Sequence, residues 1–210
     1  EYRLNIYSEY FQKIEHNLLA IPGTKISDIK NVYSHSQALS QCSNFIKSNN
    51  LIEHVRADTA GSAEMISRIK DNKNAAIAST LSAKTYGLEI IKKNIENEKG
   101  NLTRFLIMGK NVEQPELIKG NKYITTCIFR LKSEPAALYK SLGGFATNQV
   151  NMTKLESFSV KNTFEQANFY LDLEGHLEHS SVKKALEELG FHTETLDILG
   201  VYESSSFRQK

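Results

Sequence analysis

Small hydroxyl and acidic side chains occur at three similar places in the first half of this 210-residue chain. Each place lies between a short apolar run and a stretch with helical periodicity. If the apolar runs are strands of one parallel sheet, these junctions meet at its carboxyl edge, where helix N-termini offer free N–H groups and partial positive charge. Such an edge could bind a small anion, whereas the alternative is that the side chains only cap helices. The side chains are Ser34 and Ser36, Asp58 and Thr59, and Ser79 and Thr80.

The apolar pattern around these junctions predicts an α/β fold with a parallel sheet covered by helices. One helix is predicted after residue 36, with Leu39, Cys42 and Ile46 on its core face. Another is predicted after residue 80 and is expected to continue through Gly87 to Ile91. The predicted strands are 14–21, one that ends near residue 33, 52–57, 75–78 and 103–108.

The second half of the chain has a different order of elements. Residues 111–122 are polar, contain Pro115 and Gly120 and break the periodicity, so they are predicted to be a linker. Beyond them the pattern predicts the order β-α-β-β-α-β, which is ferredoxin-like. The predicted strands are 123–131, 152–160, 164–173 and 193–201, and the helices are 135–147 and 180–189. Pro135 and Gly190 favour these helix limits, and 204–210 is expected to be a tail.

Composition excludes several classes of function. Twenty-six Lys and Arg against 24 Asp and Glu give a net charge of +2 with no dense basic block, which argues against nucleic acid as a partner. Apolar runs such as 18–21 are far shorter than the ~20 residues that cross a bilayer, so no membrane insertion is expected. Cys42 and Cys127 lie in different halves without metal-type spacing, which predicts a reduced, cytoplasmic protein with no metal.

Five short strings carry a family resemblance. Residues 32–42 read Val-Tyr-Ser-His-Ser-Gln-Ala-Leu-Ser-Gln-Cys, and residues 101–105 read Asn-Leu-Thr-Arg-Phe. With Asp-Thr-Ala at 58–60, Ala-Ala-Ile-Ala-Ser at 75–79 and Tyr-Gly-Leu at 86–88, they follow the order and approximate spacing of prephenate dehydratases. The chain resembles this family over nearly all of residues 5–203, because the second half resembles an ACT regulatory domain.

The resemblance implies a two-lobed catalytic domain of the periplasmic-binding-protein-like type. Residues 1–110 correspond to part of that domain without its N-terminal lobe, 111–122 to a linker, and 123–203 to the ACT domain. Because a cleft between two lobes would lose half of its walls, this stretch alone is expected to be inactive. The true N-terminus is expected to lie upstream of Glu1.

In this family the reaction converts prephenate to phenylpyruvate in L-phenylalanine biosynthesis, and the resemblance implies that no metal or organic cofactor is needed. It identifies Thr103 as the donor to the leaving hydroxyl group. Gln41 could instead cap a helix or pack the lobes, and Arg104 could be a carboxylate anchor or a structural ion-pair partner. Ser34 and Gln41, seven residues apart, are expected about two turns apart on one helix face. The implied substrate-binding residues are Ser34, Gln41, Ser79, Arg104 and Phe105.

The ACT resemblance implies feedback by L-phenylalanine and a homodimer or homotetramer. Two departures weaken the expected inhibition: Ala136 replaces the glycine of the family's Gly-Ala-Leu string, and Phe158-Ser159 replaces the Arg-Pro of Glu-Ser-Arg-Pro. The candidate effector-binding residues are Ala136, Ala137, Leu138, Asn151, Met152, Glu156 and Ser157.

Several alternatives stay open on sequence grounds. His35 could be a general acid or a structural histidine beside a helix start. His176 and His179 could suggest a metal, but a solvated turn is the simpler interpretation because no third ligand is evident. The functional alternatives are arogenate dehydratase, which performs the same chemistry on the aminated substrate, and a non-catalytic amino-acid sensor.

Overall fold

A computed structural model describes residues 4–159 and 167–209, which fold as a mixed α/β chain with two compact units. The α/β unit is Gln12–Thr103, and the second unit combines residues 4–11 with 104–209. The strands are β1 (Asn5–Lys13), β2 (Asn17–Ala20), β3 (Asn31–Ser34), β4 (Ile52–Val55), β5 (Asn74–Ala78), β6 (Glu89–Lys92), β7 (Leu102–Gly109), β8 (Tyr123–Leu131), β9 (Met152–Phe158), β10 (Asn168–Glu174) and β11 (Thr193–Glu203). The α-helices are α1 (Ser36–Gln41), α2 (Ser43–Ser48), α3 (Thr59–Ile69), α4 (Thr80–Tyr86), α5 (Ala137–Thr147) and α6 (Ser180–Phe191).

The sheet of the α/β unit has the strand order β4-β3-β5-β2-β6. β3 runs parallel to β4 and β5, so the three strand-to-helix junctions do lie at one edge. β2 is antiparallel to β5 and β6, and the sheet is therefore mixed rather than wholly parallel as predicted. Because β2 runs backwards, its first residue, Asn17, pairs with Ala78 at the carboxyl end of β5.

Apolar residues on alternate positions of β2 and β5 form a core on each face of this sheet. Leu18 and Ile77 pack with the helices that follow β3, whereas Leu19 and Ala76 pack with Ala63 and its neighbours in α3. Strands that are buried on both faces are expected to be mainly apolar, and residues 75–78 of β5 fit that rule.

Two helix predictions in this unit are wrong. The helix predicted after residue 36 is divided at Cys42 into α1 and α2. The helix predicted after residue 80 is α4, which ends at Tyr86 because Gly87 takes a left-handed conformation with φ 65° and closes the helix. The residues that follow form β6. Ile90 and Ile91, which were expected on the helix, therefore belong to a strand.

The second unit contains the element order β-α-β-β-α-β in an antiparallel sheet, β11-β8-β10-β9. α5 and α6 cover one face, where Phe129, Phe145 and Leu189 are among the buried residues. α5 begins at Ala137 rather than at Pro135, and Gly190 lies within α6 rather than beyond it. Val160 and Phe164, at which two predicted strands end and begin, lie outside the described residues.

The unit boundary differs from the predicted one at residue 110. β1 and β7 pair as a two-stranded sheet. Ile6 of β1 and Leu106 of β7 pack against Ile124 and Tyr202 of the antiparallel sheet. Residues 4–11 and 104–110 therefore share a core with the second half of the chain. Among residues 4–159 and 167–209, no helix is both long and apolar enough to cross a membrane.

Candidate functional site

A cavity of about 310 Å³ opens within the α/β unit, at the edge where β3, β4 and β5 end. This volume lies at the lower limit of the range usual for small-molecule sites, which is about 300–1,000 Å³. Its lining comes from the starts of α1 and α3, from the segment before β2 and from the start of β7. The lining residues are Ile14, His16, His35, Gln37, Ala38, Gln41, Asp58, Thr59, Asn101 and Thr103.

Two capped helix starts contribute to the cavity. At α1, His35 Nδ1 accepts the backbone N–H of Gln37 at 3.3 Å, so a neutral imidazole at this position carries its proton on Nε2. At α3, Asp58 accepts the N–H of Gly61 at 2.6 Å, as an N-cap residue does. His35 therefore caps α1 and lines the cavity, and a role as general acid remains a prediction.

Gln41 is the best-anchored polar side chain in the cavity. Its Oε1 lies 2.7 Å from His16 Nε2 and accepts Asn101 Nδ2 at 3.3 Å. His16 is 7% exposed, and its backbone N–H donates to Glu96 at 3.1 Å. Three segments that are distant in sequence therefore meet at one amide group.

Thr103 and Gln41, two of the predicted site residues, line the same cavity. Ser34 has a different position: it ends β3, is fully buried, and donates its hydroxyl to the Ile77 carbonyl oxygen at 2.7 Å. The prediction that Ser34 and Gln41 share a helix face is wrong, because Ser34 lies on a strand whose side chains alternate between faces.

The remaining predicted substrate-binding residues are not among the described lining residues of this cavity. Ser79 is exposed and caps α4 by accepting the N–H of Ser82 at 3.1 Å. Phe105 belongs to the second unit and is half exposed. Arg104, also in the second unit, contacts buried acidic groups there.

The buried ion-pair network of the second unit consists of Glu9, Asp172, Arg104 and Arg208. Arg104 donates to Glu9 at 2.7 Å, to Asp172, and to the Tyr202 hydroxyl at 2.6 Å. Arg208 donates to both oxygens of Glu9, at 2.7 and 3.0 Å. Burial by itself would raise the pKa of Glu9, but hydrogen bonds from Arg208 and the Ser205 N–H and the positive charges of both arginines leave that pKa below its usual value.

The candidate effector residues divide between two elements. Ala136 precedes α5 in a left-handed conformation, with φ 59°, and Ala137 lines a cavity of about 350 Å³ near that helix start. Asn151 donates to Glu174 at 3.1 Å, while Glu156 on β9 pairs with Lys154 at 2.8 Å. The described lining of this cavity takes none of its residues from β9.

Sequence reasoning missed His16 and Asn101 as parts of the site. The polar pair His16-Asn17 interrupts the apolar run 14–21, which is the signal that could have indicated a strand start at this edge. Asn101 belongs to the Asn-Leu-Thr-Arg-Phe string, but its spacing does not reveal Gln41 as its partner. His176 has both ring nitrogens bonded to backbone groups, those of Pro115 and Glu178.

A family model for prephenate dehydratase matches residues 1–113. The bifunctional N-acyl-homoserine lactone acylase/prephenate dehydratase of Komagataeibacter europaeus is 42% identical over 209 residues, 99% of this chain and 73% of that protein. Arogenate dehydratase/prephenate dehydratase 2, chloroplastic, of Arabidopsis thaliana is 35% identical over 211 residues, 96% of this chain and 55% of that protein. This chain thus spans about three quarters of the first relative and about half of the second.

A solved structure of a prephenate dehydratase is similar to this chain in fold. Prephenate dehydratase in complex with L-Phe from Arthrobacter aurescens matches with a TM-score of 0.85 and 29% identity, over 96% of this chain and 66% of that one. The family match covers more than half of the residues, and the K. europaeus relative is similar along almost the whole chain. The chain belongs to the prephenate dehydratase family.

Proposed function

We propose that the protein catalyses the decarboxylating dehydration of prephenate to phenylpyruvate, with Thr103 as the donor to the departing hydroxyl group. The observation that carries this proposal is that Thr103 shares one cavity with the amide of Gln41 and the imidazole of His35, at the edge where α3 begins. No cofactor enters the proposed reaction.

The chemistry requires little covalent participation by the protein. The bond between the ring and its carboxylate breaks to release carbon dioxide, the electron pair moves into the ring, and the ring C–O bond breaks as hydroxide leaves with a donated proton. Aromatisation drives the overall reaction. The protein must hold the dianion in one pose and supply the proton donor, and preorganised donors at such positions stabilise the developing charge. A threonine hydroxyl donates without needing an unusual pKa.

The residues that line the cavity favour recognition of the substrate by uncharged hydrogen-bond donors. Neither Lys nor Arg is among the ten described lining residues, and the donors are the groups of Gln41, His35, Thr103 and the α3 N-terminus. Asp58 is negative, but it faces the positive end of α3 and accepts an N–H there, which offsets part of its charge. Substrate carboxylates are therefore proposed to bind through hydrogen bonds to these donors.

The test is Thr103→Val, which keeps the side-chain shape and removes the hydroxyl. Loss of one preorganised transition-state hydrogen bond is expected to lower kcat by about 100-fold or more, whereas Thr103→Ser should retain most of the rate. Because this stretch alone is expected to be inactive, all three versions are made with the expected N-terminal lobe present, and phenylpyruvate formation from prephenate is measured for each. A Thr103→Val rate within a few-fold of the unaltered protein would remove Thr103 from its proposed role.

Arogenate is the second candidate substrate, because the Arabidopsis relative is named for both activities. The reacting ring is the same in both compounds, so only the side-chain amino or keto group separates them. Parallel kcat/KM measurements on the two substrates decide between them. Since the K. europaeus relative is also named an N-acyl-homoserine lactone acylase, release of homoserine lactone from an acylated lactone is a third measurement in the same panel.

We also propose that residues 123–203, within the second unit, are an ACT domain that binds L-phenylalanine in a homodimer or homotetramer. The complex named for the Arthrobacter protein supports this assignment, as does the β-α-β-β-α-β order. Calorimetric titration with L-phenylalanine, and sedimentation with and without it, test ligand and assembly together. The absence of heat at millimolar ligand would instead favour a domain that no longer senses this amino acid.

A further inference from the structure

The amide of Gln41 has a single orientation in the cavity, and that orientation has identifiable causes. Two donors, His16 Nε2 at 2.7 Å and Asn101 Nδ2 at 3.3 Å, converge on its Oε1. We propose that His16 and Asn101 are positioning residues that hold the Gln41 amide with its N–H groups available to an anionic substrate. This inference rests on the proposed function, because it assigns how that site recognises a carboxylate.

The chemistry of a primary amide explains why such positioning matters. A glutamine side chain can rotate its terminal torsion and present either an oxygen acceptor or an NH₂ donor to the same space. The oxygen would repel a carboxylate, whereas the NH₂ group would bind it. Because the carbonyl oxygen has two lone pairs and both are occupied by His16 and Asn101, the acceptor is satisfied within the protein and the NH₂ group remains available to a ligand.

His16 is suited to this role by its surroundings. Its side chain is almost fully buried, and a buried polar group without a partner is costly, so the bond to Gln41 satisfies both side chains. When Oε1 is the acceptor, His16 must carry its proton on Nε2. The backbone N–H of His16 is held separately by Glu96 at 3.1 Å, which fixes the residue where β2 begins.

The backbone of Gln41 is held as well. Its carbonyl oxygen accepts the Asn97 N–H at 2.7 Å. The Asn97 side chain accepts the N–H of Asn44 at 3.0 Å and donates to the Ser40 carbonyl at 3.3 Å, so it connects the end of α1 to the start of α2. The helix break at Cys42 thus leaves Gln41 as the last residue of α1, secured from both its backbone and its side chain.

The kinetic test compares His16→Phe with His16→Gln in a protein that also carries the expected N-terminal lobe. Phenylalanine keeps a buried ring and removes the donor, whereas glutamine places an amide N–H near the position of imidazole Nε2. We expect His16→Phe to lower kcat/KM for prephenate by about 10- to 100-fold, mainly through KM, and His16→Gln to recover most of the loss. A purely structural role would lower the melting temperature and the active fraction of both variants without changing KM.

A His16→Phe protein that folds and keeps kcat/KM within two-fold would overturn the proposal. If His16→Phe does not fold, Asn101→Asp is used in its place. This change replaces the N–H donor to Gln41 Oε1 by an acceptor and should raise KM for prephenate, whereas an unchanged KM would count against the positioning role. Gln41→Leu removes the proposed donor itself and should raise KM at least as much as either positioning variant.

A spectroscopic measurement separates this inference from the proposed function. Long-range ¹H–¹⁵N spectra of the histidine rings report which nitrogen carries the proton. For the unaltered protein we expect His16 as the Nε2–H form, and its signal should change in Gln41→Leu. An Nδ1–H form refutes the positioning arrangement even if prephenate is consumed. Failure of a protein that also carries the expected N-terminal lobe to consume prephenate, with the Nε2–H form observed, refutes the proposed function and leaves the arrangement supported.

Discussion

Replacement of Arg104 by methionine should reveal whether this residue is structural. Its side chain is 18% exposed, and its guanidinium contacts Glu9 and Asp172, whose side chains have 0% exposure. The network pairs two carboxylates with two guanidiniums, so Arg104→Met leaves one buried negative charge in excess. Breaking a buried pair from one side costs about 3–5 kcal/mol. Arg208 is too far from Asp172, at 3.9 Å, to replace the lost hydrogen bond.

The matched control is Arg68→Met. Arg68 also forms an ion pair, with Glu64, but its side chain is 76% exposed and the pair lies along one helix. Exposed pairs of this kind contribute about 0.3–0.5 kcal/mol. Urea unfolding at neutral pH is the measurement, and Arg104→Met should lose several times more stability than Arg68→Met.

The pH dependence follows from the carboxylates. In the unaltered protein the pKa of Glu9 is lowered, so its contribution is present above its unfolded pKa and is lost as pH falls through the folded one. Without Arg104, a buried carboxylate should bind a proton more readily when folded than when unfolded. The loss of stability that Arg104→Met causes, relative to the unaltered protein, should therefore become smaller as the pH is lowered from 7 towards 4.

Two results would refute this reasoning. One is a stability loss for Arg104→Met no larger than that of Arg68→Met. The other is unchanged stability together with a raised KM for prephenate, which is the pattern expected if Arg104 anchors a substrate carboxylate. Adding Asp172→Asn to Arg104→Met restores charge balance and should recover part of the loss.

Three further predictions concern other parts of the chain. Ala136→Gly should stabilise the protein by about 1 kcal/mol, because alanine occupies a left-handed conformation at φ 59° that favours glycine, and thermal unfolding measures the gain. Gly200→Ala should lower the free energy of unfolding by about 3 kcal/mol, because a Cβ there would overlap the Ile6 carbonyl oxygen. A melting temperature close to that of the unaltered protein would contradict this prediction. Burial raises the pKa of the Cys42 and Cys127 thiols to about 12. A thiol reagent at pH 8 should therefore label neither cysteine until denaturant is added, and rapid labelling of the folded protein would contradict this prediction.

Local sequence determined much of the secondary structure and the family. The strand β8 has the predicted limits, and Asp58 caps a helix as its position before Thr59 indicated, because strand periodicity and capping depend on residues only a few positions apart. The strings at 32–42 and 101–105 were enough to identify the family to which the comparisons assign the chain.

Only the tertiary structure decided which polar groups meet. The family strings suggested the Ser34 hydroxyl as a substrate-binding group. The direction of that side chain depends on how β3 pairs with its neighbours, and in the structure the hydroxyl donates to the Ile77 carbonyl oxygen. Gln41 lies 25 residues from His16 and 60 from Asn101, so no local pattern could indicate that both donate to one oxygen. Such contacts depend on the reversed direction of β2 and on the break after α1, which are properties of the packed sheet and not of any short segment.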